Sequence, residues 1–189
     1  MQLFEKKIVD IVHQLFMEYV HEGDIVIDAT AGGGQDTLKL CECVGSTGKV
    51  YAFDIQQEAL TSAARLLDQY GMGDRAQLIL DSHHHLDLYV HEEVKAFVFN
   101  LGYFPKGSHN VITKTDTTAQ ALQKCLNLLK KGGLGIVVAY CGHEGGQEEK
   151  NCVDNLLQML PAKSYDVWKL ESHNRANHPP VLYMLRRKK

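Results

Sequence analysis

The sequence lacks the features that mark membrane-spanning, secreted or zinc-ribbon proteins. No apolar run in its 189 residues approaches the roughly 18 residues needed to cross a bilayer. Charges interrupt the N-terminal stretch, so we do not expect a signal peptide. The five cysteines form no pair of CxxC sites, which argues against a zinc ribbon and favours reduced thiols in a cytoplasmic protein.

Neither sign of charge dominates the chain. A formal net charge of -3 excludes a broadly basic protein, although it allows a local basic patch. The sequence also has no linker, internal repeat or low-complexity segment. We therefore expect residues 1–189 to form one domain, and the length suits one.

Apolar runs alternate with helical patterns, which predicts a Rossmann-like α/β fold with a mostly parallel seven-stranded sheet and helices on both faces. The predicted strands are Ile25–Ala29, Val50–Asp54, Gln77–Leu80, Ala96–Phe99, Leu134–Tyr140, Tyr165–Leu170 and Val181–Leu185. The predicted helices are Asp36–Cys43, Gln57–Tyr70, Thr115–Lys130 and Glu148–Leu160. No long helix separates the last two strands, so a hairpin there predicts one antiparallel strand.

An amphipathic helix is predicted ahead of the first strand, because apolar residues recur at helical spacing. They are Phe4, Ile8, Ile11, Leu15 and Tyr19. Later in the chain, "LLKKGGLGIVVAY" predicts that Leu128–Lys131 ends a helix with cations in its last turn. Gly132 would then adopt the left-handed conformation after the helix.

The stretch "IVIDATAGGGQDTLKL", residues 25–40, is typical of a nucleotide-binding turn between a strand and a helix. Ligands of open α/β sheets bind at the carboxyl ends of the strands, where these glycines lie. A dinucleotide fingerprint would read GxGxxG, but Thr37 stands where the third glycine belongs. A phosphate-binding loop would need a GK[ST] sequence, and no lysine is present in the turn.

Two carboxylates beside the glycines favour a cationic ligand. Asp28 ends the first strand and Asp36 lies in the first helical turn. They would repel a pyrophosphate at a cost of several kcal/mol, on the order expected for charges roughly 4 Å apart. S-adenosylmethionine instead carries a sulfonium and an ammonium against one carboxylate. The simpler alternative is that Asp36 is only a favourable acid near a helix N-terminus.

The ends of the second and third strands predict a nucleoside site. Asp54 follows Gly34 by twenty residues, where an acid can accept both hydroxyls of a ribose. Asp81, Ser82 and His83 follow the third strand and could meet the adenine edge. The three adjacent histidines do not predict a metal site, since neighbouring side chains diverge and no second histidine pair completes a ligand set.

The fourth predicted strand ends in "FVFNLGYFPKGSH", which places Asn100 beside the first strand. The Asn100 side chain and the Leu101 carbonyl could together hold an N–H of a substrate amine, with its lone pair aimed at a methyl group. Tyr103 or Phe104 could stack on a planar base. The alternative is a polar turn that merely follows a buried strand.

Taken together, these motifs resemble class I S-adenosylmethionine-dependent methyltransferases. "DATAGGG" is similar to their first motif, "NLGY" to the Asn-Pro-Pro-Tyr motif of amino-methylating members, and "LLKKGGLGIVV" to their fifth-strand entry. More narrowly, "NLGYFPKGSHNVITKTDTT", "YCGHEGGQEE" and "NRANHPPVLY" resemble the family labelled rRNA methylase. Members of that family are understood as MnmM-type tRNA methyltransferases that methylate the amine of 5-aminomethyl-2-thiouridine at wobble position 34.

The resemblance implies a set of roles over nearly the whole chain. The implied catalytic residues are Asn100, Tyr103, His143 and Glu144. The implied contacts with S-adenosylmethionine are Asp28, Thr30, Gly32, Gly34, Asp36, Thr37, Asp54, Gln56, Ser82, His83, Asn100 and Leu101. The implied contacts with RNA or the base are Tyr103, Pro105, His109, Lys114, Thr115, Arg175, Asn177 and Pro179. The implied partner is the anticodon region of tRNA, without a membrane, and a homodimer is one assembly that the sequence allows.

Other functions stay open at this point. An rRNA or small-molecule methyltransferase would use the same fold and cofactor. An NAD-linked oxidoreductase is disfavoured by the missing third glycine and by the acids beside the turn. A non-catalytic nucleoside-binding or RNA-binding module would have no need of the Asn100 motif.

Overall fold

The structure, a computed structural model, describes residues 7–102, 112–175 and 179–188. Its helices are α1 (Ile8–Tyr19), α2 (Gln35–Val44), α3 (Gln57–Gln69), α4 (Thr115–Leu128) and α5 (Gly146–Gln158). Its strands are β1 (Ile25–Asp28), β2 (Lys49–Asp54), β3 (Ala76–Leu80), β4 (Val94–Leu101), β5 (Leu129–Ala139), β6 (Tyr165–Leu170) and β7 (Val181–Arg187). The predicted alternation of strands and helices is confirmed.

The seven strands form one sheet in the order β3-β2-β1-β4-β5-β7-β6. All neighbouring pairs from β3 to β5 are parallel, whereas β7 runs antiparallel to both β5 and β6. The predicted hairpin and its single antiparallel strand are therefore confirmed. The chain leaves β1 toward β2 and β3 and later returns to β4 on its other side, so the strand order reverses between β1 and β4.

Two apolar layers cover the sheet because successive side chains of each strand point to opposite faces. On one face, Val26 and Val98 pack with Val12 and Phe16 of α1 and with buried residues of α2 and α3. On the other face, Phe97 packs with α4 and α5 residues. The prediction of helices on both faces is confirmed.

Helix α1 was predicted correctly, but its most buried face differs from the predicted stripe. Val12 and Phe16 are almost fully buried. The predicted residues Ile8, Ile11, Leu15 and Tyr19 are only partly buried and pack beside them, and Phe4 lies outside the described residues. No helix in the described ranges is long and apolar enough to cross a membrane.

The prediction that Leu128–Lys131 ends a helix is wrong. Helix α4 ends at Leu128, and β5 begins at once with Leu129, which is fully buried and pairs with Val94. The ladder shifts register just after this pair, and Gly132 has the predicted positive φ of 74° inside the strand. Lys130 binds Asp24 at 2.7 Å rather than capping a helix.

Candidate active site

A cavity of about 540 Å³ opens at the carboxyl ends of β1 to β4, where the strand order reverses. Open α/β sheets bind ligands at this place because the loops after the strands diverge there. Ten residues expected from the sequence line its wall: Thr30, Gly32, Asp36, Asp54, Gln56, Asp81, Ser82, His83, Asn100 and Lys114.

The glycine turn after β1 shapes one side of the cavity. Gly32 has a φ of 50° and donates its backbone N–H to Asp54 Oδ2 at 2.9 Å. Gly34 has a φ of 85°, and a Cβ there would lie 2.7 Å from the Cα of Ala63 in α3. Gly32 therefore lines the cavity, whereas Gly34 lets the turn pack against a helix.

Asp54 is fixed by backbone donors from two loops. Its Oδ2 accepts the Gly32 N–H and its Oδ1 accepts the Gln56 N–H, each at 2.9 Å. Burial raises the pKa of Asp54, and the Gln56 and Gly32 hydrogen bonds oppose that rise. A carboxylate oxygen accepts more than one hydrogen bond, so both oxygens keep capacity for ligand hydroxyls.

Asp28 lies behind the wall and does not line the cavity. It is fully buried, accepts the Thr37 hydroxyl at 2.6 Å and accepts the Thr30 N–H at 3.1 Å. Burial, reinforced by Asp36, raises its pKa to about 7. Asp28, Thr37 and Gly34 thus support the turn from inside, and their direct contact with a ligand stays a prediction.

His83 presents an acceptor in the nucleoside part of the cavity. Its Nδ1 donates to the carbonyl of Ala29 at 3.0 Å, so a neutral ring carries its lone pair on Nε2. Burial lowers the pKa of His83 to about 4, which keeps the ring neutral at physiological pH. Within the described residues, the buried Nε2 has no hydrogen-bond partner, as expected for an atom that a ligand donor satisfies.

Asn100 is held at two points. Its backbone N–H donates to Thr30 Oγ1 at 2.7 Å, and its side-chain Nδ2 donates to Asp36 Oδ2. The other oxygen of Asp36 lies 2.6 Å from Nε2 of His13, a residue of α1. Asp36, which is 8% exposed, therefore links α1 to the end of β4.

The Leu101 carbonyl was predicted to hold the substrate amine together with Asn100. In the structure it accepts the backbone N–H of Tyr140 at 3.1 Å, and the Leu101 side chain is fully buried. One of its two lone-pair directions is thus used by the sheet, so its contact with a substrate stays a prediction.

On the Lys114 side of the cavity, Glu149 joins the motif "YCGHEGGQEE" to the motif "NLGYFPKGSHNVITKTDTT". It is 2% exposed, and each of its oxygens accepts a hydroxyl at 2.6 Å, from Thr113 and from Thr118. Thr113 lines the cavity, and its N–H donates to the carbonyl of Gly102. Glu149 therefore does more than begin a helix: it ties α5 to the segment that precedes α4.

Several other predicted residues are not brought to the wall. His143, Glu144, Thr115, Arg175 and Pro179 are described but do not line the cavity. His143 packs against the cavity residue Gly102, since a Cβ added there would lie 3.7 Å from its Nε2. The predictions for Tyr103, Pro105, His109 and Asn177 fall outside the described residues.

Sequence reasoning missed the contribution of α1. Val9, 40% exposed, lines the cavity, and His13 supports Asp36 from behind. The apolar pattern predicts that α1 is a helix, but nothing in its spacing indicates that one histidine reaches a carboxylate 23 positions later. In the described ranges, no three His, Cys, Asp or Glu side chains gather as a metal site requires.

The chain is similar in sequence to known proteins over most of its length. The family model described as "Putative rRNA methylase" matches residues 50–186. The chain is 37% identical to the tRNA (mnm(5)s(2)U34)-methyltransferase, chloroplastic, of Arabidopsis thaliana. That alignment covers 96% of this chain and 70% of the relative.

Solved structures show the same similarity. A crystal structure from Clostridium thermocellum with the same description as the family has a TM-score of 0.93 and 40% identity, and covers 96% of this chain and 98% of its own. A protein from Streptococcus mutans described as "a putative methyltransferase" was solved in complex with SAH. It has a TM-score of 0.87 and 36% identity, and the match covers 96% of this chain and 98% of that one.

Proposed function

The chain belongs to the rRNA methylase family, and from that membership we propose that it is an S-adenosylmethionine-dependent tRNA methyltransferase. Its substrate is the 5-aminomethyl group of 5-aminomethyl-2-thiouridine at wobble position 34, and its product carries one more methyl group on that amine. The observation that carries the proposal is the juxtaposition of Asn100 with a nucleoside site in one cavity. The Arabidopsis relative, whose name carries the methylated wobble nucleoside mnm(5)s(2)U34, supports this choice of substrate and product.

The residues present fit S-adenosylmethionine. Asp54 offers two oriented oxygens to the ribose hydroxyls, and the neutral His83 offers an unpartnered acceptor to an adenine N–H. Ser82 lies beside His83 in the wall. Asp36 also lines the cavity, beside Asn100. The SAH complex of the Streptococcus mutans relative supports this assignment.

S-adenosylmethionine supplies, when bound, a methyl group on a positively charged sulfur that an amine nitrogen can attack directly. The residues of the chain must then present the amine with a free lone pair, although an alkyl amine at neutral pH is mostly protonated. Burial beside a positive charge lowers the pKa of such an amine. The Asn100 side chain holds an N–H of the neutral amine and orients its lone pair, and such positioning provides much of the acceleration.

Binding of tRNA must depend on few cations, since the chain carries a net charge of -3. Lys114 is exposed at the cavity wall, and Arg175 is exposed in the loop between β6 and β7. Because β6 runs parallel to β1–β5, that loop lies at the carboxyl edge of the sheet, as the cavity does. We assign both side chains to the phosphates of the anticodon region. A cytoplasmic location, one domain and a homodimer stay predictions.

The proposal is tested by methylation in vitro. The purified protein is incubated with methyl-labelled S-adenosylmethionine and tRNA that carries 5-aminomethyl-2-thiouridine, and the nucleosides are then separated by mass spectrometry. We expect one labelled methyl group on that nucleoside and none in tRNA without the aminomethyl group. Label in rRNA alone, or in a small amine alone, would replace the tRNA assignment with one of those two substrates.

A further inference from the structure

We propose that Asp36, held by His13 of α1, is a positioning residue that fixes the side-chain amide of Asn100 with its carbonyl oxygen facing the substrate. This inference rests on the proposed function and deepens it. It assigns His13 a role in the reaction, although His13 lies outside every motif that marks the family resemblance.

The hydrogen bond to Asp36 fixes the direction of the Asn100 amide. An asparagine side chain has a donor end and an acceptor end, whereas an ionised carboxylate only accepts. Because Asn100 Nδ2 donates to Asp36 Oδ2, the amide group presents Oδ1 on its other side. The backbone N–H of Asn100 is bound to Thr30 at 2.7 Å, so the residue is fixed at both ends.

Methyl transfer to an amine requires the acceptor end of that amide. A neutral amine offers N–H donors and keeps one lone pair for the methyl carbon. An acceptor at Oδ1 binds an N–H and leaves the lone pair free, whereas an amide turned by 180° would donate Nδ2–H to the lone pair and block attack. The orientation of Asn100 therefore decides whether the bound amine is reactive.

His13 holds the oxygen of Asp36 that does not contact Asn100. Asp36 is 8% exposed and lies near the buried carboxyl of Asp28, which repels it when ionised. Only one oxygen of Asp36 contacts Asn100, and the other lies 2.6 Å from His13 Nε2. Rotation of the Asp36 carboxylate away from Asn100 would therefore also break its contact with His13.

The alternative role for Asp36 is direct binding of the cofactor's positive charge. The two roles give different kinetics. A cofactor contact affects the affinity for S-adenosylmethionine, whereas a positioning contact affects the transfer rate at saturating cofactor. Asp36→Asn keeps the shape and removes the carboxylate, which lets Asn100 pair in either orientation.

The test compares Asp36→Asn, His13→Phe and His13→Gln with the parent, and His21→Phe is the control because His21 is exposed just beyond α1. Single-turnover methylation of the modified tRNA gives the rate, and calorimetric titration gives the S-adenosylmethionine affinity. We expect Asp36→Asn to lower the transfer rate at least about tenfold, because it removes one charge-assisted hydrogen bond. The affinity for S-adenosylmethionine should stay within about threefold of the parent. His13→Phe should lower the rate about fivefold, and His13→Gln, whose amide can still bind Asp36, should restore most of it.

Nuclear magnetic resonance of the free protein supplies a readout that does not depend on activity. The side-chain amide signals of Asn100, identified by their loss in Asn100→Ala, should move in Asp36→Asn and His13→Phe and stay in place in His21→Phe. A parent without transfer activity would refute the proposed function, while these signals would still test the hydrogen bond. An active parent with an unchanged rate in His13→Phe, or with affinity lost in place of rate in Asp36→Asn, would overturn this inference alone.

Discussion

The two halves of the cavity are built in different ways. The nucleoside half contains Gly32, Asp54, Gln56, Ser82 and His83. Its key carboxylate is fixed by backbone N–H groups of the loops that follow β1 and β2. The transfer half contains Asp36, Asn100, Thr113 and Lys114, with His13 behind Asp36. Most of its polar contacts join side chains of distant segments.

This difference predicts that one half of the cavity sets cofactor affinity and the other sets the transfer rate. Backbone donors are present wherever a strand ends in a tight turn. The nucleoside half, which depends on them, should therefore mainly supply affinity for the cofactor. Paired side chains must each be supplied by the sequence, and in the transfer half they hold one amide in one orientation. Substitutions should therefore affect cofactor affinity in the first half and transfer rate in the second.

The largest expected effect is that of Asn100→Ala on the rate. The variant loses the group that holds the amine, and we expect at least about a hundredfold slower methyl transfer with S-adenosylmethionine affinity retained within a few-fold. Single-turnover methylation across pH, together with cofactor titration, measures both quantities. The control is Asn155→Ala, an exposed asparagine of α5. Near-parental turnover in Asn100→Ala would move the positioning role elsewhere, with His143 and Glu144 the next candidates.

The next effect in size is expected in the nucleoside half of the cavity. Asp54→Ala should weaken S-adenosylmethionine binding about tenfold or more, since each hydrogen bond to a charged group contributes roughly 1.5–3 kcal/mol. The rate at saturating cofactor should change far less. Calorimetric titration checks the affinity, with Glu58→Ala as a control because this exposed acid lies four residues away. Unchanged affinity would show that the ribose is not held by Asp54.

A smaller effect concerns Asp28, which lies beneath both halves. Its pKa in the folded protein is about 7 against an ordinary 3.8, so the folded state holds a proton that the unfolded chain has released. The stability from this proton is present at low pH and is lost as the pH rises through about 7. Between pH 6 and pH 8, Asp28 should therefore lower the free energy of unfolding by about 1 kcal/mol.

Asp28→Asn removes this titration and keeps acceptor capacity for the Thr30 N–H. Urea unfolding of parent and variant at pH 6 and pH 8 measures the difference. We expect the parent to lose more stability than the variant over this interval. Equal losses in the two proteins would mean that Asp28 is ionised at both pH values.

The smallest effect is expected for Lys114→Glu. Reversal of one phosphate contact should weaken tRNA binding roughly threefold and leave cofactor affinity unchanged. Lys131→Glu is the matched control, because Lys131 is exposed near the start of β5, at the opposite end of the sheet. Affinity for tRNA should also fall with salt along a shallow slope. A slope near zero would favour a small-molecule substrate.

The sequence predicted most of the fold because the relevant signals are local. Buried parallel strands are continuous apolar runs, and the missing helix between β6 and β7 marks the hairpin. The boundary at Leu129 was mispredicted because lysines followed by glycine are typical of a helix end. The pairing of Leu129 with Val94, 35 positions earlier by numbering, outweighs that local signal.

The site residues show the same contrast between local signals and contacts distant in sequence. Asp54 was predictable because it ends a strand, and that position alone brings it to the cavity. His13 and Glu149 were not, since His13 reaches a carboxylate 23 positions away and Glu149 binds a hydroxyl 36 positions away. Such contacts depend on how helices pack on the sheet, which spacing along the chain does not encode.

The proposed methylation of the wobble uridine is tested most directly by mass spectrometry of wobble nucleosides in tRNA from cells that lack the gene. The cells are complemented with the parent or with Asn100→Ala. Loss of the gene should cause 5-aminomethyl-2-thiouridine to accumulate and its methylated product to disappear. The parent should restore the product, and Asn100→Ala should not. Methylated wobble uridine at the parental level in the deleted cells would contradict the proposed function.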